Sequence, residues 1–287
     1  MAARDQIGLS LPVAQKGFIK GRVWPTHFMI WFSMVLILFP LAYAALISTQ
    51  TNPEIFSFQL TPGSGLAKHW DQVWNDRNLG GLMWNSLVQA VLITTAKTVL
   101  SLLAGLAFVY FKFRGKWIVF FFVLITLMMP TEVMILALFR IVSDLGWKDT
   151  MAGLVVPFAA SATGAFLFRQ HFANLPRELS EAAQIDGASP IQFLFKVLIP
   201  LSWNVIGALA VIQFVFVWNM YLWPVLIISN PDKQVVQVGL QGLQTLDTGI
   251  TFGPLMLAAL VVSIPPALVF LALQKPFMAG FALSADK

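Results

Sequence analysis

Two ionisable residues, Lys97 and Glu132, stand inside long apolar runs, where a charge is costly to bury and marks a functional candidate. An ammonium and a carboxylate so placed can fasten two helices as an ion pair or face a polar path. They can also serve a charged solute, Lys97 helping an anionic phosphate across with Glu132 as its resting counter-ion. Lys97 lies thirteen residues before Tyr110, and Glu132 fifteen after Trp117. At about 1.5 Å rise per residue their depths differ by only about 3 Å, so adjacent helices would bring them level. A second group, Trp218, Asn219 and Tyr221, combines aromatic faces with an amide and a phenol. Such a set either anchors a helix end at the membrane interface or lines an outer mouth suited to a polyol. The third group is the polar stretch from Glu178 to Pro200. It is a polar helix–turn–helix candidate in an apolar chain, able to lie on lipid headgroups or to offer a surface to a partner.

The elements that position these groups are apolar helices. Hydrophobic residues make up 58% of the 287 and charged residues 11%, with a mean hydropathy of +0.77. Soluble chains carry about 25% charged residues. Apolar runs near the length needed to cross a bilayer recur along the chain, which nearly excludes a soluble enzyme. The expected fold is all-α and polytopic, with six spans at about 25–48, 84–111, 117–139, 152–168, 204–228 and 254–273. They form one transmembrane domain over 25–274, preceded by a tail at 1–24 and followed by another at 275–287. The first 24 residues lack a compact apolar core with a cleavage site and read as a retained tail. Pro130 is expected to kink the third span, and Pro157, Pro224 and the Pro265–Pro266 pair to interrupt others.

The basic residues orient the spans. With both termini inside, the inner segments hold Arg4, Lys16, Lys20, Arg22, Lys112, Arg114, Lys116, Arg169, Arg177, Lys196, Lys275 and Lys287. The outer segments hold Lys68, Arg77, Arg140, Lys148 and Lys233. Twelve against five places the termini and the 178–200 stretch in the cytoplasm. Clustered Lys and Arg on such a chain set topology; nucleic acid is not an expected partner. The chain has no cysteine, and His27, His69 and His171 are scattered without a second ligand at metal spacing, so no metal site is expected. No catalytic motif is present and no enzymatic activity is expected.

The inner segment, about 171–203, has its own helix punctuation. Leu175-Pro176 ends the preceding helix. Glu178 and Glu181 then occupy the first turns of the next, where carboxylates complement the positive helix end. Ala182 and Ala183 keep one surface small, and Asp186-Gly187 is a turn signal. Ser189 caps a second helix with Pro190 at its first position; Phe193, Leu194 and Val197 give it an apolar stripe. The residues alone leave open whether this helix–turn–helix lies on lipid headgroups or docks a partner.

Glu181-Ala182-Ala183, then Gly187, then Ile199-Pro200 resemble the EAA motif of the membrane subunits of bacterial ABC importers. Further runs resemble the carbohydrate-uptake branch of that family. They are Trp84-Asn85-Ser86, the 127–133 run, Ala160-Ser161-Ala162-Thr163 with Phe166-Leu167-Phe168-Arg169-Gln170, and Trp218 to Pro224. More narrowly they are similar to the permeases of sn-glycerol-3-phosphate importers. The resemblance implies a type I permease in a bacterial inner membrane, forming half of a pathway for sn-glycerol-3-phosphate or related glycerophosphodiesters, or alternatively for a neutral sugar or oligosaccharide. It implies a heterodimer with a second permease subunit, two ATPase subunits and an extracytoplasmic substrate-binding protein. Glu181, Ala182, Ala183 and Gly187 match the docking motif, with Glu178 and Asp186 beside them. No Gly-x-x-x-x-Gly-Lys-[Ser/Thr] loop occurs in the chain, so ATP and Mg are expected on the ATPase subunits. The loop at 230–249 is expected to face the binding protein. A secondary transporter, with Lys97 and Glu132 coupling an ion, is the distant alternative.

Overall fold

The computed structural model describes residues 24–244 and 251–282; the tail expected over 1–24 lies almost entirely outside them. The chain divides between Tyr43 and Ala44 into two units. Most of α1 (Trp24–Ile47) makes up the described part of the first. It is apolar around its whole circumference, and its large side chains from Trp24 to Tyr43 are exposed, as lipid-facing residues are.

In the second unit, α2 (Asn52–Phe56) and α3 (Leu66–Asp71) occupy the segment before the first long helix. Gln50 ties that segment together by donating to Gln59 O at 2.7 Å and Thr61 O at 2.8 Å. α4 (Leu79–Tyr110) is the longest helix among the described residues. It packs against α8 (Ala162–Ala173) and α12 (Trp203–Trp218), and α12 packs against α15 (Phe252–Ala282). The close approach of α4 to α8 depends on Gly105, where an added Cβ would stand 2.8 Å from Phe168 Cβ.

The third expected span is two helices, α5 (Lys116–Leu127) and α6 (Thr131–Asp144). Pro130 has no N–H to continue the helix. With its ψ of 131° it caps α6 instead. The fourth is α7 (Met151–Val155), a short tight turn at Val156–Phe158 containing Pro157, and α8, bent by 43°. After α8 come α9 (Glu178–Ile185), α10 (Pro190–Phe193) and α11 (Ile199–Leu201), the last two joined through a wide turn at Leu194–Leu198. The run Pro190–Leu201 meets α12 at 80°. Beyond α12 lie α13 (Leu222–Ile227) and α14 (Val236–Gln244).

Two expectations about breaks are corrected. α15 runs unbroken through Pro265 and Pro266, and through Pro276, to Ala282. Each proline removes one backbone bond, but the apolar surroundings reward no alternative to helix, and Pro276 packs against Gly207 of α12. The fifth helix ends at Trp218, ten residues before the expected limit of Ile228, because the chain turns at Asn219–Tyr221 before α13. No strand occurs among the described residues, so the all-α class stands. Among the described residues, three helices are long and apolar enough to cross a membrane, or up to five when each bent pair counts as one.

Candidate functional site

The 174–202 segment forms at one end of α4. α9 closes with a Schellman turn: Ala188 N donates to Ala183 O at 2.9 Å and Gly187 N to Gln184 O at 3.1 Å. Gly187 has a φ of +69°, which side chains with a Cβ rarely adopt. Ser189 and Gln192 then exchange bonds as a capping box, Ser189 N to Gln192 Oε1 at 2.9 Å and Gln192 N to Ser189 Oγ at 3.3 Å. The end of α9 and the start of α10 are thus each fixed by local hydrogen bonds on either side of Ala188. Behind them an apolar base holds the pair to the bundle. Phe193 is buried and meets Tyr110 edge to face at 5.1 Å, with Leu194 and Leu198 in the same cluster. In front, Glu178, Glu181, Ala182, Asp186 and Gly187 are exposed, while Ala183 is half-buried. Ile185, at the tip, is 86% exposed. A rigid, mixed acidic and apolar knob results.

Near the middle of α4, Lys97 is only 7% exposed. Its Nζ donates to Gln213 Oε1 at 2.9 Å and lies 5.2 Å from the Phe216 ring. Thr94 and Ser101 share this buried face of α4, at the helical spacing of one stripe. Lys97 and Gln213 line a cleft of about 550 Å³ together with Thr126, Ser161, Thr163 and Phe158. Ser161 also caps α8 by accepting from Gly164 N at 3.1 Å, so the positive end of α8 opens on this cleft. The Glu132 side chain lies outside the described residues. Its place on the first turn of α6 falls between Met129 and Met134, both of which line the cleft. Gln213 was missed from the sequence. The available signal was its being the one polar side chain between Asn204 and Trp218.

At the far end of α4, Asn219 and Tyr221 line a second cleft of about 370 Å³ with Phe158 and Trp223. Trp218 does not join them as expected: it is 2% exposed and stacks on Phe214 at 5.8 Å. Its period along α12 points it to the core with Phe214 and Val217. The loop after α13 is fastened from two sides. Asp149, at φ +55°, accepts from Ser229 N at 2.7 Å and Asn230 N at 2.9 Å. The Asn230 and Ser229 amides hold its carboxyl below the ordinary value, with Lys233 and Lys148 adding to the effect. From α4, Asn85 donates to Asp232 O and Gln234 O at 2.9 and 3.0 Å. Ser86 Oγ accepts from Val236 N at 2.8 Å.

Among the described residues no cluster of His, Cys, Asp and Glu could hold a metal. What the geometry provides is a cleft lined by a buried lysine near the middle of α4 and, at one end of that helix, an exposed acidic and apolar helix pair.

The family model for binding-protein-dependent transport system inner membrane components matches residues 97–279. The chain is 38% identical over 274 residues to the sn-glycerol-3-phosphate transport system permease protein UgpE of Escherichia coli K12, covering 91% of this chain and 98% of that protein. The same named protein from Pectobacterium atrosepticum is 38% identical over 264 residues, with 89% and 94% covered. In fold, the chain is similar to a chain of a bacterial ABC transporter involved in the import of the acidic polysaccharide alginate. The TM-score is 0.76 at 20% identity, over 88% of this chain and 95% of that one. These likenesses extend along nearly the whole chain, through the motif segment and the Lys97 cleft alike, and the protein therefore belongs to the binding-protein-dependent transport system inner membrane components, as a multi-pass permease of the ABC importer type.

Proposed function

We propose that this chain forms half of the translocation pathway of an importer for sn-glycerol-3-phosphate or related glycerophosphodiesters. It would pair with a second permease subunit and receive solute from an extracytoplasmic binding protein. Two ATPase subunits carrying ATP and Mg would drive it from the cytoplasmic side, where both termini lie. The carrying observation is the α9–α10 knob, whose tip exposes Ile185 at 86% while its base is buried against α4 and α8. An apolar side chain held out on a rigid acidic helix suits insertion into a partner's cleft. Glu178, Glu181, Ala182, Ala183, Asp186 and Gly187 form that face.

The test is coupling. In proteoliposomes with all subunits, Ile185→Asp and Gly187→Val should cut import and binding-protein-stimulated ATP hydrolysis by at least about tenfold. The latter change forces a left-handed φ on a β-branched residue at about 1–2 kcal/mol. Both variants should still insert and assemble with the second permease. Wild-type import by both would refute the docking role.

The anionic substrate class is supported by Lys97 at the mid-depth cleft and by the named relatives. A neutral sugar is the second reading. It is favoured by the aromatic and amide lining at Asn219 and Tyr221, a chemistry that suits uncharged hydroxyls. Competition of unlabelled glycerophosphates and sugars against labelled sn-glycerol-3-phosphate uptake separates the two.

A further inference from the structure

A basic cluster on the turn between α4 and α5 stands apart from the residues that line the Lys97 cleft and from the exposed α9 face. Lys112, Arg114 and Lys116 crowd the turn between α4 and α5, and Arg169 reaches it from α8. The Arg169 guanidinium packs 4.9 Å from the Trp117 ring and 4.3 Å from the Phe120 ring, and its charge acts on Lys116. Lys116 is fixed inward, donating to Phe111 O at 3.0 Å, while Lys112 and Arg114 are exposed. No Asp or Glu occurs between Arg77 and Thr131 or between Thr150 and Arg177. Among the described residues none of the four cations is in a salt bridge. The positive charge is therefore gathered without compensation.

The turn also encloses a cleft of about 310 Å³ lined by Lys112, Phe113, Lys116, Trp117 and Ile118. Directly beyond it α5 presents an apolar strip, with Ile118 77%, Phe122 67% and Ile125 58% exposed, at helical spacing on one face. A polar, cationic cleft at a Trp-marked helix end, continued by an apolar strip, matches one kind of molecule. We propose that this turn binds the phosphate headgroup of an anionic phospholipid, with its acyl chains along the outer face of α5. Headgroup oxygens would meet Lys112 and Arg114, with Arg169 held by its aromatic contacts as a fixed charge behind them. The site is independent of which solute the protein carries.

The test uses the full-length chain in detergent with whatever subunits accompany it, titrated with dioleoyl phosphatidylglycerol or dioleoyl phosphatidylcholine and read by native mass spectrometry. The anionic lipid should be retained at least about tenfold more tightly, given roughly fivefold per Lys or Arg near a headgroup. Lys112→Gln and Arg114→Gln should each weaken retention about fivefold, and together about thirtyfold. Arg140→Gln, on α6 away from the turn, should leave it unchanged. Both altered side chains are exposed, and melting temperatures equal to the parent's secure the comparison. Equal retention of the two lipids overturns the proposal, as does undiminished binding in the double variant. Displacement of the lipid by excess inorganic phosphate would assign the cations to a free anion and overturn it as well.

Discussion

Lys97→Met is the sharpest perturbation available, because it removes a charge while keeping the length and the apolar stem of the side chain. Two unit charges about 4 Å apart attract by about 4 kcal/mol at an effective dielectric of about 20. A passing phosphate gives up hydration to gain this, so the net is smaller. Even a third of it, about 1.4 kcal/mol, is tenfold in an equilibrium constant. Uptake of labelled sn-glycerol-3-phosphate into proteoliposomes should therefore fall at least about tenfold. A purely structural lysine predicts a different pattern, and Gln213 tells them apart. In Lys97→Met the Gln213 Oε1 loses its partner at 2.9 Å, which costs roughly 1–3 kcal/mol of stability if the atom stays buried. The double variant Lys97→Met with Gln213→Leu removes both polar ends and should recover the melting temperature without recovering uptake. Gln213→Glu supplies an internal carboxylate at the same place; it should keep the fold and depress import of the anion by competing for the ammonium. Wild-type uptake by Lys97→Met, or uptake that returns together with stability in the double variant, would refute the reasoning.

Two further perturbations follow from the geometry. Gly105→Val would drive a Cβ to 2.8 Å from Phe168 Cβ and 3.0 Å from its backbone carbon. Neither atom can swing away, so the melting temperature in detergent should drop, by about 1–3 kcal/mol of stability from overpacking. Asp149 links the loop after α13 to pH. Its folded carboxyl titrates below the ordinary 3.8 because Asn230 N and Ser229 N donate to it. Its contribution is thus complete above about pH 4 and is lost as pH falls through the folded value. Protection of the Ser229 and Asn230 amides from hydrogen exchange, relative to their intrinsic rates at each pH, should fall below that window in the parent. Measured in the same way, it should stay constant in Asp149→Asn, which tolerates the positive φ and keeps an acceptor.

Much of this was legible in the residues, and the misses share a cause. The helix–turn–helix at 178–200 could be placed because its signals are local: Pro176, the first-turn carboxylates, Gly187 and the Ser189-Pro190 cap act within four residues of themselves. Pro130 likewise broke its span where expected, since the missing N–H is a property of that residue alone. Pro265 and Pro266 did not, because whether a proline interrupts a helix in apolar surroundings depends on what packs beside it, which sequence does not state. Trp218 went the same way. An indole near a helix end suits an interface equally well, and only the α12 register against its neighbours turns it inward with Phe214. Gln213 was missed because an uncharged amide in an apolar run carries no obligatory partner until α4 delivers Lys97 to it. Long-range pairings of this kind, 116 residues apart, are invisible to periodicity.

That pairing sits at a particular place in the packing. One apolar core, with Leu102, Leu106, Phe168, Phe193 and Leu209, ties the knob to α4, α8 and α12. Another, with Ala90, Ile93, Phe214, Val217 and Ala258, ties the opposite end of α4 and α12 to α15. Between the two, α4 contributes Thr94, Lys97 and Ser101, and α12 contributes Gln213, all buried. Thr94 Oγ1 and Ser101 Oγ make no hydrogen bond among the described residues. Close-packed apolar cores resist gradual deformation and move as blocks. A polar layer with spare donors and acceptors can instead exchange one set of bonds for another at little cost. A displacement delivered at α9 reaches the first core through Phe193 and Leu198, and the layer is where the second core need not follow. The cleft that Lys97 lines lies at that same boundary, so if the α9 face docks as proposed, a displacement there would be expected to alter the cleft around Lys97.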